Sequence, residues 1–375
     1  MTTPQRVFFP NLDGLRFLAF LSVFLFHSFY TPDSRIAASV LYQIPHRLTR
    51  SGDLGVNFFF VLSGFLITYL LLSEKQLTGR IAIGAFYMRR ILRIWPLYFV
   101  MVFIGFVVFP WVKAHLGQAP LHETAQPWYF FTFLVNFNNL YHGCQTPTLT
   151  LLWSVSVEEQ FYLVWPLLVA AVPVRRLGWL FGGVLGMSIA FRLLHMHDAA
   201  VLNQHTLSLI GDMALGGLAA WLSFRDDRLV NHVRSWSRWT IALGYVLGLA
   251  LIVFRDSLYQ VPGYVVFDRL LLACFFAFVL LEQNYARHSI IKMSQLKFLS
   301  YWGTYTYGLY CLHLLALLAA FQLLHRLGLN RTPIGVVLGD NVVGLLLAMA
   351  ISWLSFTLYE KPFLKLKNRF ALITH

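Results

Sequence analysis

Charge is scarce in this sequence. Asp, Glu, Lys and Arg together make up 12% of the 375 residues, about half the share usual in a soluble domain. That scarcity excludes a soluble enzyme and a disordered chain. Cysteine is scarce too. Cys144, Cys274 and Cys311 are odd in number and far apart, which gives neither a disulfide framework nor zinc-ligand spacing. No His/Cys/Asp cluster has metal spacing, so no metal is expected. No cleavable signal is evident, because the first apolar run contains Arg16 and no small-residue cleavage site follows it. There is no internal repeat and no low-complexity linker. No basic run is interleaved with stacking aromatics, so nucleic acid is not an expected partner despite a net charge of +13.

What is abundant is hydrocarbon. Hydrophobic residues make up 58% and aromatics 17%, with a mean hydropathy of +0.63. A chain of this kind dissolves in a lipid bilayer, where each helical span needs roughly 20 apolar residues. Apolar runs fall near 11–30, 54–73, 90–110, 127–141, 157–173, 177–194, 205–223, 239–254, 262–283, 301–325 and 334–358. The run 127–141 (PWYFFTFLVNFNNLY) is aromatic and Asn-bearing and reads as an interfacial or re-entrant piece on the outer side. With that run not spanning and the N-terminus inside, nineteen Lys and Arg lie inside, seven outside and three within spans. Counting 127–141 as a span erases this bias. The positive-inside rule therefore predicts an all-α integral membrane protein, a bundle of about ten transmembrane helices with both termini cytoplasmic. Residues 1–375 read as one domain, multi-pass in the cell (inner) membrane, with the bilayer itself as a partner. The stretch 110–156 is the longest excursion, and long loops tend to be functional.

Ionisable groups inside spans are costly and mark function by default. Arg16 and His27 lie eleven residues apart on the first span. Eleven steps of 100° return to within about 20° of the same direction over a rise of about 16 Å. Both face one way, Arg16 near the inner mouth and His27 in the outer half, and Asp13 is one turn from Arg16. A snorkelling Arg and a satisfied core His are the alternative. Arg89, Arg90 and Arg93 form a fork at i,i+3 and i,i+4 where the third span leaves the cytoplasm. Guanidinium groups bind phosphate in bidentate fashion, which suits an anionic cytosolic cofactor; an ordinary cytoplasmic anchor is the alternative.

The stretch Trp153-Ser-Val-Ser-Val-Glu-Glu-Gln-Phe-Tyr162 opens the fourth span from outside. Ser156 followed by Glu159 reads as a capping box. Glu158 is not needed for that cap and lies at the same expected depth as His27. A carboxylate beside an imidazole is a general acid/base arrangement; a solvated first-turn carboxylate is the alternative. Ser63-Gly64-Phe65 is in the middle of the second span, where Gly allows close helix approach. No G-x-S-x-G elbow surrounds Ser63, which speaks against a nucleophile. His313 lies mid-span and either lines the same cavity or is a satisfied core residue. Arg192, Asp212, Asp268 and Arg269 are also within spans, but their pairing is not readable from the sequence.

Together these stretches resemble the acyltransferase-3 family of bacterial membrane O-acyltransferases, whose members acylate O-antigens and other glycans. That family's signature of arginine or lysine, ten residues and histidine is similar to Arg16–His27. Its FFVLSGFLI element is similar to residues 59–67, its R-x-x-R element to Arg90–Arg93, and its WSLSVEEQFY block to residues 153–162, with Val155 where Leu is usual. Its late tyrosine-and-histidine element and E-K-P ending are similar to Tyr310-Cys-Leu-His313 and Glu360-Lys-Pro362. The resemblance covers roughly residues 8–365. It implies transfer of an acyl group, usually acetyl, from cytosolic acyl-CoA to a hydroxyl of a carbohydrate or glycolipid such as an O-antigen or exopolysaccharide. His27 and Glu158 would be catalytic: His27 either deprotonates the acceptor hydroxyl or briefly carries the acyl group itself, and Glu158 orients or charges it. Arg16, Arg90 and Arg93 would hold the phosphates of acetyl-CoA, and Ser63, Trp153 and His313 would contact substrate. The esterase-like domain fused to some members is expected to be absent. A transporter or flippase of a glycolipid or hydrophobic solute also suits intramembrane charge, but no paired Gly/Pro-broken spans in two halves support it.

Overall fold

The computed structural model describes residues 5–6, 9–115, 122–370 and 373–374. Its long helices follow the apolar runs. They are α1 Leu12–Ser28, α2 Leu54–Thr78, α3 Ile83–Phe103, α4 Trp153–Ala171, α5 Leu177–Leu194, α6 Thr206–Arg225, α7 Arg238–Val253, α8 Tyr264–Tyr285, α9 Thr306–Arg326 and α10 Asn341–Ser355. A seven-residue helix, α11 (Lys361–Lys367), closes the order. Extended pairing among the described residues is limited to Gln5–Arg6 alongside Ile373–Thr374.

By length and composition, seven helical stretches can cross a membrane, or up to eight if the pair Asp227–Arg234 and Arg238–Val253, bent by 96°, forms one span. Helices α1 and α4 fall outside that set for a physical reason. Helix α1 has 17 residues and carries Asp13, Arg16 and His27, and α4 carries Ser154, Ser156, Glu158, Glu159 and Gln160. Segment 127–141 is not one helix. It forms Pro127–Phe131 and Val135–Tyr141, of five and seven residues, too short to span at 1.5 Å per residue. Between them Phe133 adopts a positive φ of 55°, uncommon for a bulky residue. This turn directs its ring onto Tyr98, with centroids 4.6 Å apart. Residues 116–121 of the long loop lie outside the described residues.

Two glycines set the central helix crossing. A Cβ on Gly64 of α2 would stand 1.9 Å from the Met213 carbonyl oxygen, and one on Gly216 of α6 would stand 1.9 Å from that of Val61. Backbone meets backbone there, as close helix packing in lipid requires. The buried Arg and Asp side chains of α5, α6 and α8 pair off. Arg192 binds Asp268 and Arg269 binds Asp212, while Arg255 links Asp268 to Asp53. Such pairing is what makes charge tolerable in a helix bundle.

Candidate active site

One large chamber, of about 560 Å³, lies among α1, α2, α3, α4, α9 and α11. On α2 its lining runs from Val56 to Leu70, a rise of about 21 Å. The lining includes Arg16, Arg90, Arg93, Ser63 and Glu158. Residues from four separate helices thus share one chamber. Seven cations line it (Arg16, Arg89, Arg90, Arg93, Lys361, Lys365 and Lys367) against three carboxylates (Asp13, Glu158 and Glu360). The cations gather where α3, α9 and α11 begin and α2 approaches its end.

These cations differ in what they already hold. Arg16 pairs with Asp13 one turn away on α1. Arg89 is committed, bonding Glu74 at 3.1 Å and the Phe370 carbonyl at 2.7 Å. Arg90 and Arg93 have no ion pair or hydrogen bond among the described residues. The Arg90 guanidinium lies 5.5 Å from the ring centres of Phe86 and Tyr162, and its Nε is buried without a partner. Unpaired guanidinium groups facing a cavity form a receptor for a multiply charged anion.

Deeper in, Ser63 of α2 donates to Glu158 Oε1 at 2.7 Å. The Tyr162 hydroxyl, one turn along α4, reaches Ser63 Oγ at 3.0 Å and Glu158 Oε2 at 3.2 Å. The three form a compact polar group on the wall. Two readings of the sequence are corrected here. Helix α4 starts at Trp153, with no side-chain cap. Ser156 is therefore already inside the helix, its hydroxyl unpartnered, and Glu159 instead accepts from Trp95 Nε1 at 2.9 Å. There is no capping box. For the same reason Glu158 is a second-turn residue aimed at α2, not a first-turn carboxylate, and no hydrogen bond joins it to His27.

The partner of His27 is His313. Nε2 of His313 lies 3.3 Å from Nδ1 of His27, with ring centroids 5.2 Å apart. The chamber lining includes neither histidine, nor Trp153. On α9 it stops at Tyr310, one turn short of His313. Trp153 packs against Phe60, ring centroids 6.1 Å apart. So Ser63 alone of the three expected substrate contacts faces the chamber. Lys365, Lys367, Tyr162 and Tyr310 were not singled out as site residues by the sequence. The lysines read there only as inside charge. Among the described residues, no group of three His, Cys, Asp or Glu side chains is placed to hold a metal ion.

Comparison with known proteins gives a consistent picture. Residues 9–357 match the family described as "Acyltransferase domain". The peptidoglycan O-acetyltransferase OatA of Listeria monocytogenes is 31% identical over 172 residues, 44% of this chain and 25% of that protein. The Bacillus subtilis protein YrhL, which bears the same activity in its name provisionally, is 33% identical over 172 residues, 44% of this chain and 24% of that protein. An O-acetyltransferase of Staphylococcus aureus, also named provisionally, is 27% identical over 194 residues, 50% of this chain and 30% of that protein. The matched stretch thus spans less than a third of each of these relatives. No solved structure matches the chain.

Proposed function

The chain belongs to this acyltransferase family, and from that premise we propose that it is a multi-pass inner-membrane O-acyltransferase. In this reading about ten helices span, both termini are cytoplasmic, and the cation-lined end of the chamber opens to the cytosol. The donor is acyl-CoA, with acetyl as the acyl group. The acceptor is a hydroxyl of a cell-surface carbohydrate or glycolipid, a class supported by the relatives named as peptidoglycan O-acetyltransferases.

The observation that carries this reading is the pair of unpartnered guanidinium groups, Arg90 and Arg93, at one end of a chamber that runs about 21 Å along α2. Arg16, Lys365 and Lys367 complete the anion site and hold the donor's phosphates. The pantetheine arm then extends along the chamber past Ser63, Glu158 and Tyr162.

His27 takes the chemical role. Its Nδ1 lies 2.9 Å from the Val23 carbonyl, which can only accept. Nδ1 therefore carries the proton, and the Nε2 lone pair is left to act as base. The acceptor hydroxyl loses its proton to Nε2 as its oxygen attacks the thioester carbonyl carbon. The C–S bond breaks, and the His27 imidazolium returns that proton to the thiolate, giving free CoA. His313 Nδ1 donates to the Tyr310 carbonyl at 2.7 Å, so its Nε2 accepts from His27 and holds that ring in this tautomer.

The test is mass spectrometry of surface glycans from cells with and without the intact gene, joined to a purified assay with labelled acetyl-CoA. A gain of one acetyl group on the glycan, and CoA release in the assay, are expected. Unchanged glycans with no label transfer would reject the assignment and favour transport.

A further inference from the structure

One face of α11 forms the rim of the chamber. Lys361, Leu364, Lys365 and Asn368 all line it, and their spacing of i, i+3, i+4 and i+7 is that of a single helical stripe. Lys361, Lys365 and Asn368 are exposed, whereas Arg16, Arg90 and Arg93 are only partly so. Among the described residues, no hydrogen bond or ion pair engages the side chain of Lys361, Lys365 or Asn368.

Inward from the rim the arginines come next. The Arg90 guanidinium lies 5.5 Å from the ring centre of Tyr162, whose hydroxyl bonds Ser63 and Glu158. Arg89 is held by Glu74 and Arg16 by Asp13. Arg90, Arg93, Lys361, Lys365 and Lys367 are left to face Glu158 and Glu360. A diphosphate ester carries one charge per phosphate, which leaves part of this surplus unmatched. A phosphate monoester brings about 1.5–2 further negative charges.

An acyl-CoA carries phosphate in two places. Its diphosphate leads into the pantetheine arm, and a 3′-phosphate monoester sits on the ribose, on the far side of the diphosphate from the thioester. With the thioester directed inward, the monoester is the group left at the rim. We propose that Lys361, Lys365 and Asn368 form a subsite for this 3′-phosphate, which makes α11 the element that selects CoA over dephospho-CoA, while Arg90 and Arg93 take the diphosphate. Lysine suits a terminal monoester as a mobile point charge, and guanidinium forks suit the adjoining oxygens of a diphosphate. The Asn368 amide adds N–H donors. This rests on the chamber being the donor site, and it places nothing between the thioester and His27.

The experiment titrates the purified full chain, in phosphatidylcholine nanodiscs, with free CoA and with dephospho-CoA, read by calorimetry. The wild-type protein should bind CoA at least about tenfold more tightly than dephospho-CoA, the scale of one charge-assisted hydrogen bond. The double variant Lys361→Met/Lys365→Met should bring CoA to within about threefold of dephospho-CoA, with dephospho-CoA bound as it is by the wild type. Asn368→Ala should shift the ratio in the same direction and covers the case in which the double variant does not fold. Arg93→Lys should weaken both nucleotides alike, since the diphosphate is common to them. Equal binding of the two by the wild type, or an equal loss of both in the lysine variant, would overturn the subsite while leaving the donor site standing. So would a loss confined to CoA in Arg93→Lys, which would put the 3′-phosphate at the arginines. A preference for CoA that vanishes when phosphatidic acid is included in the bilayer would give the lysines to a lipid headgroup instead. Absence of binding by both nucleotides would overturn the donor site and the subsite with it.

Discussion

His313 stands 3.3 Å behind His27, nitrogen to nitrogen, on a helix 286 residues away in the chain. Each ring also binds a backbone carbonyl of its own helix, His27 that of Val23 and His313 that of Tyr310. Facing carbonyls, both Nδ1 atoms carry their protons, and the single Nδ1–H of His27 is shared between the Val23 carbonyl and His313 Nε2. His313 has 0% of its surface exposed, so it cannot meet substrate without rearrangement. In the proposed mechanism its place is behind the base, as a positioning residue.

His27→Ala is expected to abolish acylation, a loss on the order of 10²–10⁴-fold for a general base, with the protein still inserted and folded. Label transfer from acetyl-CoA, measured beside a thermal melt in detergent, checks it. Acylation at the wild-type level would remove His27 from the reaction.

His313→Ala is expected to lower kcat by on the order of 10²-fold through misorientation, with KM for acetyl-CoA unchanged. His313→Gln, which retains an acceptor, should recover part of that loss. A change in KM with kcat unaltered would argue that His313 serves donor binding instead.

Arg93→Lys is expected to weaken donor binding by about 10–100-fold, because a point charge replaces a fork worth ~1.5–3 kcal/mol per charged hydrogen bond. Calorimetric titration with free CoA checks it. Arg89→Lys should matter less for the donor, since Arg89 is already engaged by Glu74 and the Phe370 carbonyl.

Gly64→Ala is expected to disrupt the α2–α6 crossing. The new methyl would collide with a backbone oxygen, which cannot rotate away as a side chain can, so the cost is at or above the ~1–3 kcal/mol typical of overpacking. A lowered melting midpoint and reduced monodisperse yield would show it. Gly84→Ala is the control, because nothing lies within 4 Å of the added atom.

The loop between α3 and α4 should loosen in acid. Burial pushes the Glu123 carboxyl up, but hydrogen bonds outweigh it and hold the group below the ordinary glutamate value. Its oxygens accept from the backbone amides of Ala125, Gln145 and Thr146 at 2.8–2.9 Å. A depressed folded value means that this stabilisation is fully present above pH about 4.3 and lost as pH falls through the folded value. Hydrogen-exchange protection of those three amides should drop across that window. Glu123→Gln should lower protection at neutral pH and remove the dependence.

Much of this protein was legible in its sequence because a bilayer imposes one-dimensional rules. A span must be about 20 apolar residues with its backbone bonded internally, and charge asymmetry orients the loops. The helices accordingly follow the apolar runs, and the break of 127–141 into two short helices agrees with its aromatic, Asn-bearing composition. Helical periodicity likewise placed Arg90 and Arg93 on one face, and both line the chamber. What the sequence could not give was contact between helices, because partners distant in the chain leave no spacing to read. Glu158 and His27, at similar depth on separate helices, read as neighbours. The structure instead turns Glu158 to Ser63 and Tyr162 and gives His27 to His313. A four-residue shift in where α4 begins did the rest, turning an apparent cap of Ser156 and Glu159 into interior helix. Composition and periodicity settled that the chain lives in lipid and which residues are anomalous there. Only packing decided which of those anomalies meet, since that depends on helix rotation and crossing, fixed by close contacts such as Gly64 against Met213.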